Sequence, residues 1–148
     1  MEMAVTVLII SVLAAIALPY YFHAVENTRM TEAVMLWGRT KNHATGNRMI
    51  TETYAERFNR EANEPGKLKY FTVRLFCREK TDGEICWEAE FTKKNDSGAN
   101  YKLATLQNFR ELACIGLNAE GEDFCFKLTD EKGEKTPVGE EQGYVIRY

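Results

Sequence analysis

Positive charge is missing from the start of this chain: no Lys or Arg occurs before Arg29. Without basic residues ahead of it, an opening apolar segment cannot be oriented by the positive-inside rule. It also lacks the basic n-region of a removable signal peptide, and its apolar run is longer than a typical h-region. Histidine is scarce, with only His23 and His43, and both read as surface or interface residues. No Gly-rich phosphate loop, H-E-x-x-H or G-x-S-x-G motif is present, so no catalytic site is expected. Glu88 and Glu90 share one face of a predicted strand, where paired acids read as solvated surface. The net charge of −3 offers no dedicated nucleic-acid surface. No metal or cofactor is expected: Asp96 and the segment Asp130-Glu-Lys-Gly-Glu134 lack the ligand density and spacing of an EF-hand. Asn95-Asp96-Ser97 fits the N-x-S pattern and reads as a turn.

What is present at the start is a charge-free apolar run, Met3 to Phe22, headed by Glu2. About 20 helical residues at about 1.5 Å each can cross a hydrocarbon core of about 30 Å. A carboxylate at the edge of such a run is costly to leave unpaired in lipid and invites a cationic partner. Pro19, inside the run near its end, removes one helical hydrogen bond and predicts a kink or local melting.

The string from Glu2 through Leu13-Ala-Ala-Ile-Ala-Leu-Pro19 to Tyr21 closely resembles the N-terminal segment of type IV pilins and the related pseudopilins. The 17-residue spacing from Glu2 to Pro19 carries much of the likeness. The continuation Val25-Glu-Asn-Thr-Arg-Met-Thr-Glu-Ala33 is similar to the soluble half of a pilin helix, and the likeness covers roughly residues 1–37. The family's precursor has a short basic leader ending in Gly, then a Phe and a few residues before the glutamate. Met1 stands here directly before Glu2, so the native N-terminus is expected to lie upstream of this start. Ser11 occupies a position where many pilins have Gly, which stiffens the helix locally.

The resemblance implies an α+β fold in which a long N-terminal helix packs on a small antiparallel sheet. Residues 1–23 are expected to form the transmembrane or filament-core segment and 24–148 a globular pilin-like domain. That domain divides into an amphipathic helix over about 24–58 and a sheet over about 67–148. The implied function is structural, one subunit of a type IV pilus-like helical filament. The alternatives are a pseudopilin of a secretion or DNA-uptake machine, or, from another class, a membrane-anchored binding or enzymatic domain. The implied partners are identical or related pilin subunits, with the bacterial inner membrane holding the chain before assembly and an extracellular filament after it. The resemblance also implies that Glu2 meets the N-terminal amine of an adjacent subunit, and that Pro19 permits local unwinding.

The rest of the chain can be read from its residues. Ala33, Leu36, Trp37, Thr40, Ala44, Asn47, Tyr54 and Phe58 recur at near-helical spacing and predict an imperfect apolar stripe. No Pro falls between Ala24 and Phe58, although Gly38 and Gly46 each lower helix propensity by about 1 kcal/mol and Gly46 is a possible break. Residues 2–58 as one rod would measure about 85 Å. Glu64-Pro65-Gly66 punctuates the chain, and after it the period changes to two. Strands are predicted at Tyr70–Phe76, Ile85–Thr92, Tyr101–Leu106, Phe124–Leu128 and Gly143–Tyr148. Residues 107–116 read as a short helix or an irregular crossing, and a charged loop precedes the last strand.

Four cysteines, Cys77, Cys86, Cys114 and Cys125, all lie beyond the apolar run. An even count in an exported domain argues for two disulfides, and three connectivities are open. Cys77–Cys86 and Cys114–Cys125 are the simplest, because each pair brackets a turn-rich stretch, Thr81-Asp82-Gly83 or Asn118-Ala-Glu-Gly121. Gaps of eight and ten residues fit disulfides better than a Cys₄ zinc site, which needs two to four.

Overall fold

The computed structural model describes residues 1–45, 50–77, 87–94, 98–106, 109–129 and 133–146. Three helices and six strands follow in chain order: α1 (Glu2–Thr45), α2 (Glu52–Ala62), β1 (Phe71–Cys77), β2 (Trp87–Lys93), β3 (Tyr101–Leu106), β4 (Glu111–Gly116), α3 (Ala119–Lys127), β5 (Lys135–Val138) and β6 (Glu141–Ile146). The strands form one sheet in the order β1-β2-β3-β4-β6-β5, antiparallel throughout. This is the α+β arrangement expected from the sequence, a long apolar helix running into a domain built on an antiparallel sheet.

The core fills the space between one sheet face and the helices. Phe71, Val73 and Leu75 of β1, Ala89 and Phe91 of β2, Tyr101 and Leu103 of β3, and Leu112 and Cys114 of β4 point into it at period two. Met30, Ala33 and Trp37 of α1 meet them, with Ala55 of α2 and Phe124 and Cys125 of α3. A smaller apolar cluster, Ala104, Ala113, Ile115 and Val138, lies apart from it. Phe109 has a left-handed backbone, φ 69°, which costs an L-residue about 1–2 kcal/mol. It is held there because its ring is fully buried and its carbonyl accepts the indole N–H of Trp37 at 3.0 Å.

Several expectations are corrected. The single helix over 24–58 is two helices, α1 ending at Thr45 and α2 starting at Glu52 behind a Thr51 cap whose hydroxyl accepts the Tyr54 N–H at 3.1 Å. Phe124–Lys127 belongs to α3, with Leu128 as its C-cap, and is not a strand. Asn118 caps it by accepting the Gly121 N–H, and acidic Glu120 and Glu122 favour its positive end. Residues 111–116 form a full strand, β4, instead of a crossing. The charged loop contains β5, whose Pro137 suits it to the sheet edge where it lies. Glu88 is 5% exposed, so it is not part of a wet acidic face, while Glu90 pairs with Lys102 at 3.6 Å. Asn47, Thr81-Asp82-Gly83, Ile85, Asn95-Asp96-Ser97 and Asp130 lie outside the described residues.

Candidate functional site

Residues 1–22, with the apolar start of α1, are exposed throughout. Within the run, Leu18 is 51% exposed and Met3 85%. This is the one described helix long and apolar enough to cross a membrane, and none of its most apolar window is covered by the protein. A helix apolar on all sides needs lipid or other protein around it. Its Thr6 and Ser11 hydroxyls are already satisfied internally. The Thr6 hydroxyl donates to the Glu2 carbonyl at 2.9 Å and the Ser11 hydroxyl to the Val7 carbonyl at 2.8 Å, so neither needs a partner from outside.

Glu2 sits exposed in the first turn of α1, where a carboxylate complements the partial positive charge of the helix terminus. Pro19 lies inside the helix, which continues unbroken on both sides; the expected melting is not seen. What Pro19 does remove is the N–H that would bond the Ala15 carbonyl, leaving a weak rung in the ladder. The two residues are therefore not brought together: 17 positions apart on one rod, they stand about 25 Å from each other.

The lower half of α1 is fastened to the sheet by residues at alternating four- and three-residue steps: Glu26, Met30, Ala33, Trp37 and Thr40, all buried. The predicted stripe began at Ala33 and missed both Met30 and Glu26. The Glu26 carboxylate lies 2.8 Å from the ammonium of Lys93, whose side chain is 1% exposed. The same ammonium donates to the Ala99 carbonyl at 2.6 Å, the Tyr101 hydroxyl donates to Glu26 at 3.4 Å, and Arg29 flanks the carboxylate at 3.5 Å. One helical turn on, the Glu32 carboxylate accepts the backbone N–H groups of Lys69 and Tyr70 and so fixes the entry to β1. Lys93 could have been found from sequence, since it stands in phase with inward-facing Ala89 and Phe91 on β2.

Where the apolar run meets the domain, Pro19, His23, Glu26 and Arg29 face Glu120, Phe124 and Lys127 of α3 across a cleft of about 810 Å³. His23 packs against Phe124 at 5.2 Å between ring centroids, and Phe124 against Tyr101 at 4.7 Å. His23 is the first residue of α1 that is not fully exposed. His43 stacks on Tyr54 at 4.3 Å, and burial pushes the Tyr54 phenol above its ordinary range against the opposing pull of Arg57.

The Cys114–Cys125 disulfide is formed and joins β4 to α3. Cys77 is also disulfide-bonded; the expected pairing with Cys86 falls on a residue outside the described ones. Among the described residues no cluster of His, Cys, Asp and Glu is arranged to hold a metal. Compared with protein-family models, curated proteins and solved structures, the chain finds no match.

Proposed function

We propose that this chain is a structural subunit of a type IV pilus-like helical filament, held in the inner membrane before assembly and carried on the cell surface after it. The observation that carries the reading is the exposure of the whole apolar segment of α1, from Met3 to Phe22. In the membrane that surface faces lipid. In the filament it packs against the same segment of neighbouring subunits, exchanging lipid contacts for protein contacts. Lipid tails are as apolar as leucine, so close packing and dispersion hold such a bundle, not a net gain in burial. Ala14, Ala15 and Ala17 keep one stretch of the helix thin enough for close approach.

Glu2 supplies selectivity. In an apolar bundle its carboxylate needs a cationic partner on an adjacent subunit, and a buried charge left without one costs about 3–5 kcal/mol. Such a head-to-tail contact propagates instead of closing, which is the condition for a filament. The weak rung at Pro19 provides a point where the rod can unwind between filament core and outer domain.

The test is Glu2→Ala, assayed by membrane fractionation and by electron microscopy of sheared filaments. The variant is expected in the membrane fraction and absent from filaments. Filaments of normal abundance built from it would overturn the proposed registry role.

A further inference from the structure

The outer edge of β1 is occupied by the side chains of Asn59 in α2 and Asn63, the residue that caps its C-terminus. The Asn59 amide donates to the Leu75 carbonyl at 2.9 Å and accepts the Leu75 N–H at 2.6 Å. Four residues on, the Asn63 amide donates to the Val73 carbonyl at 2.7 Å and accepts the Val73 N–H at 2.9 Å. A carboxamide carries the same donor and acceptor as a peptide unit, so each asparagine presents to β1 what a neighbouring strand would present. The spacing matches as well. Four helical residues advance about 6 Å and two strand residues about 6.6 Å, so a pair at i and i+4 reaches alternate positions of a strand. Because Asn59 meets Leu75 and Asn63 meets Val73, α2 runs antiparallel to β1, like the strand it replaces.

The backbone groups so covered are those that point away from the sheet. The Lys94 N–H donates to the Tyr70 carbonyl at 2.8 Å, which turns the even-numbered positions of β1 toward β2 and the odd-numbered ones outward. The opposite edge, β5, has only four residues and includes Pro137, which has no N–H to offer another strand. β1, at seven residues, is the long edge. An unpaired edge of this kind is a template for strand addition.

We propose that Asn59 and Asn63 act as an edge guard, and that the surface they close is one where the β1 strand of a second copy of this chain would otherwise add. A second copy is the partner because every copy presents the same edge, and two identical edges pair antiparallel about a two-fold axis with nothing else required. The guard's role is selectivity of association, and it stands whether or not the chain forms filaments.

The experiment uses the full chain with Asn59→Ala and Asn63→Ala, reconstituted at one copy per lipid nanodisc. Hydrogen exchange is read at individual amides and association by sedimentation over a range of concentrations. Exchange at Val73 and Leu75 is expected to accelerate while Thr72 and Arg74, which face β2, keep their rates. Discs are expected to shift from single to paired as concentration rises, with protection returning at Val73 and Leu75 in the pairs. Unchanged exchange at those two amides would overturn the proposal, and so would open amides on discs that stay single. If the double variant does not fold, the single substitutions decide, since each leaves one rung intact. Each should expose only the amide facing the lost asparagine and pair more weakly; wild-type behaviour in both singles would sink the idea.

Discussion

Glu26 and Lys93 form a buried ion pair between α1 and the sheet, and their burial makes the consequence of losing one of them predictable. The Lys93 ammonium touches the Glu26 carboxylate and the Ala99 carbonyl and is sealed from water by Tyr101 and the sheet. A buried ion pair gains little over a well-packed apolar pair, because both charges were taken out of water to form it. Removing Lys93 is a different matter, since Glu26 then stays buried with only Arg29, at 3.5 Å, as counter-charge. Lys93→Ala is expected to destabilise the fold by about 3–5 kcal/mol, and Glu26→Leu combined with Lys93→Met to recover most of that loss. Denaturant unfolding of the three proteins in the same detergent gives the comparison. A Lys93→Ala chain as stable as wild type would mean that Arg29 and Tyr101 suffice to hold Glu26.

Among the elements, α3 depends on two attachments at opposite ends. At its start, the Asn118 side chain accepts the N–H groups of Gly121 and Asn100 and donates to the Gly98 carbonyl, tying the helix to the connection between β2 and β3. Gly121 allows this approach: a Cβ there would lie 1.8 Å from the Asn100 carbonyl oxygen. Near its end, the disulfide joins Cys125 to Cys114 of β4. Replacing both cysteines by serine is expected to cost about 2–3 kcal/mol, the chain-entropy value for so short a loop. Calorimetry measures the loss, and a melting temperature equal to wild type would show that the Asn118 cap and Phe124 packing hold α3 unaided. The helix also marks where sequence reasoning stops. In Phe124-Cys125-Phe126-Lys127-Leu128 the large residues nearly alternate and imitate a strand, whereas the Asn118 cap and acidic first turn were the better signal. β3 was legible because its apolar and aromatic residues follow the turn signal Asn95-Asp-Ser-Gly98. β5 was not, because charge and Pro137 hide a short edge strand that exists through pairing with β6. Of the candidate site, Glu2, Pro19 and the cysteines could be picked out by type and spacing. Glu26, Asn59 and Asn63 could not, because a polar residue on a helix reads as surface until its partner on a distant strand is known.

For the whole molecule, the distribution of burial divides α1 into two parts. Residues up to Phe22 are all exposed, while Met30, Ala33 and Trp37 supply one wall of the domain's core. Folding of the domain therefore needs the second part and is indifferent to the first. A chain beginning at His23 keeps the Glu26–Lys93 pair, Met30, Ala33 and Trp37, and loses only the exposed apolar run. It is expected to be soluble without detergent and to unfold cooperatively, with both disulfides formed. A chain beginning at Lys41 lacks that wall. It exposes Phe71, Phe91, Tyr101 and Leu103, all fully buried in the intact fold, and leaves Lys93 without Glu26. Each large apolar side chain so uncovered forfeits about 1.5–3 kcal/mol, and a domain is stable by only about 5–15 kcal/mol in total. The shorter chain is therefore expected to aggregate or remain unfolded. Circular dichroism and thermal melts of the two truncations check this directly. A folded domain starting at Lys41 would show that α1 is an appendage to the sheet, not its wall, and an unfolded one starting at His23 would show that the exposed rod supports the domain it leaves.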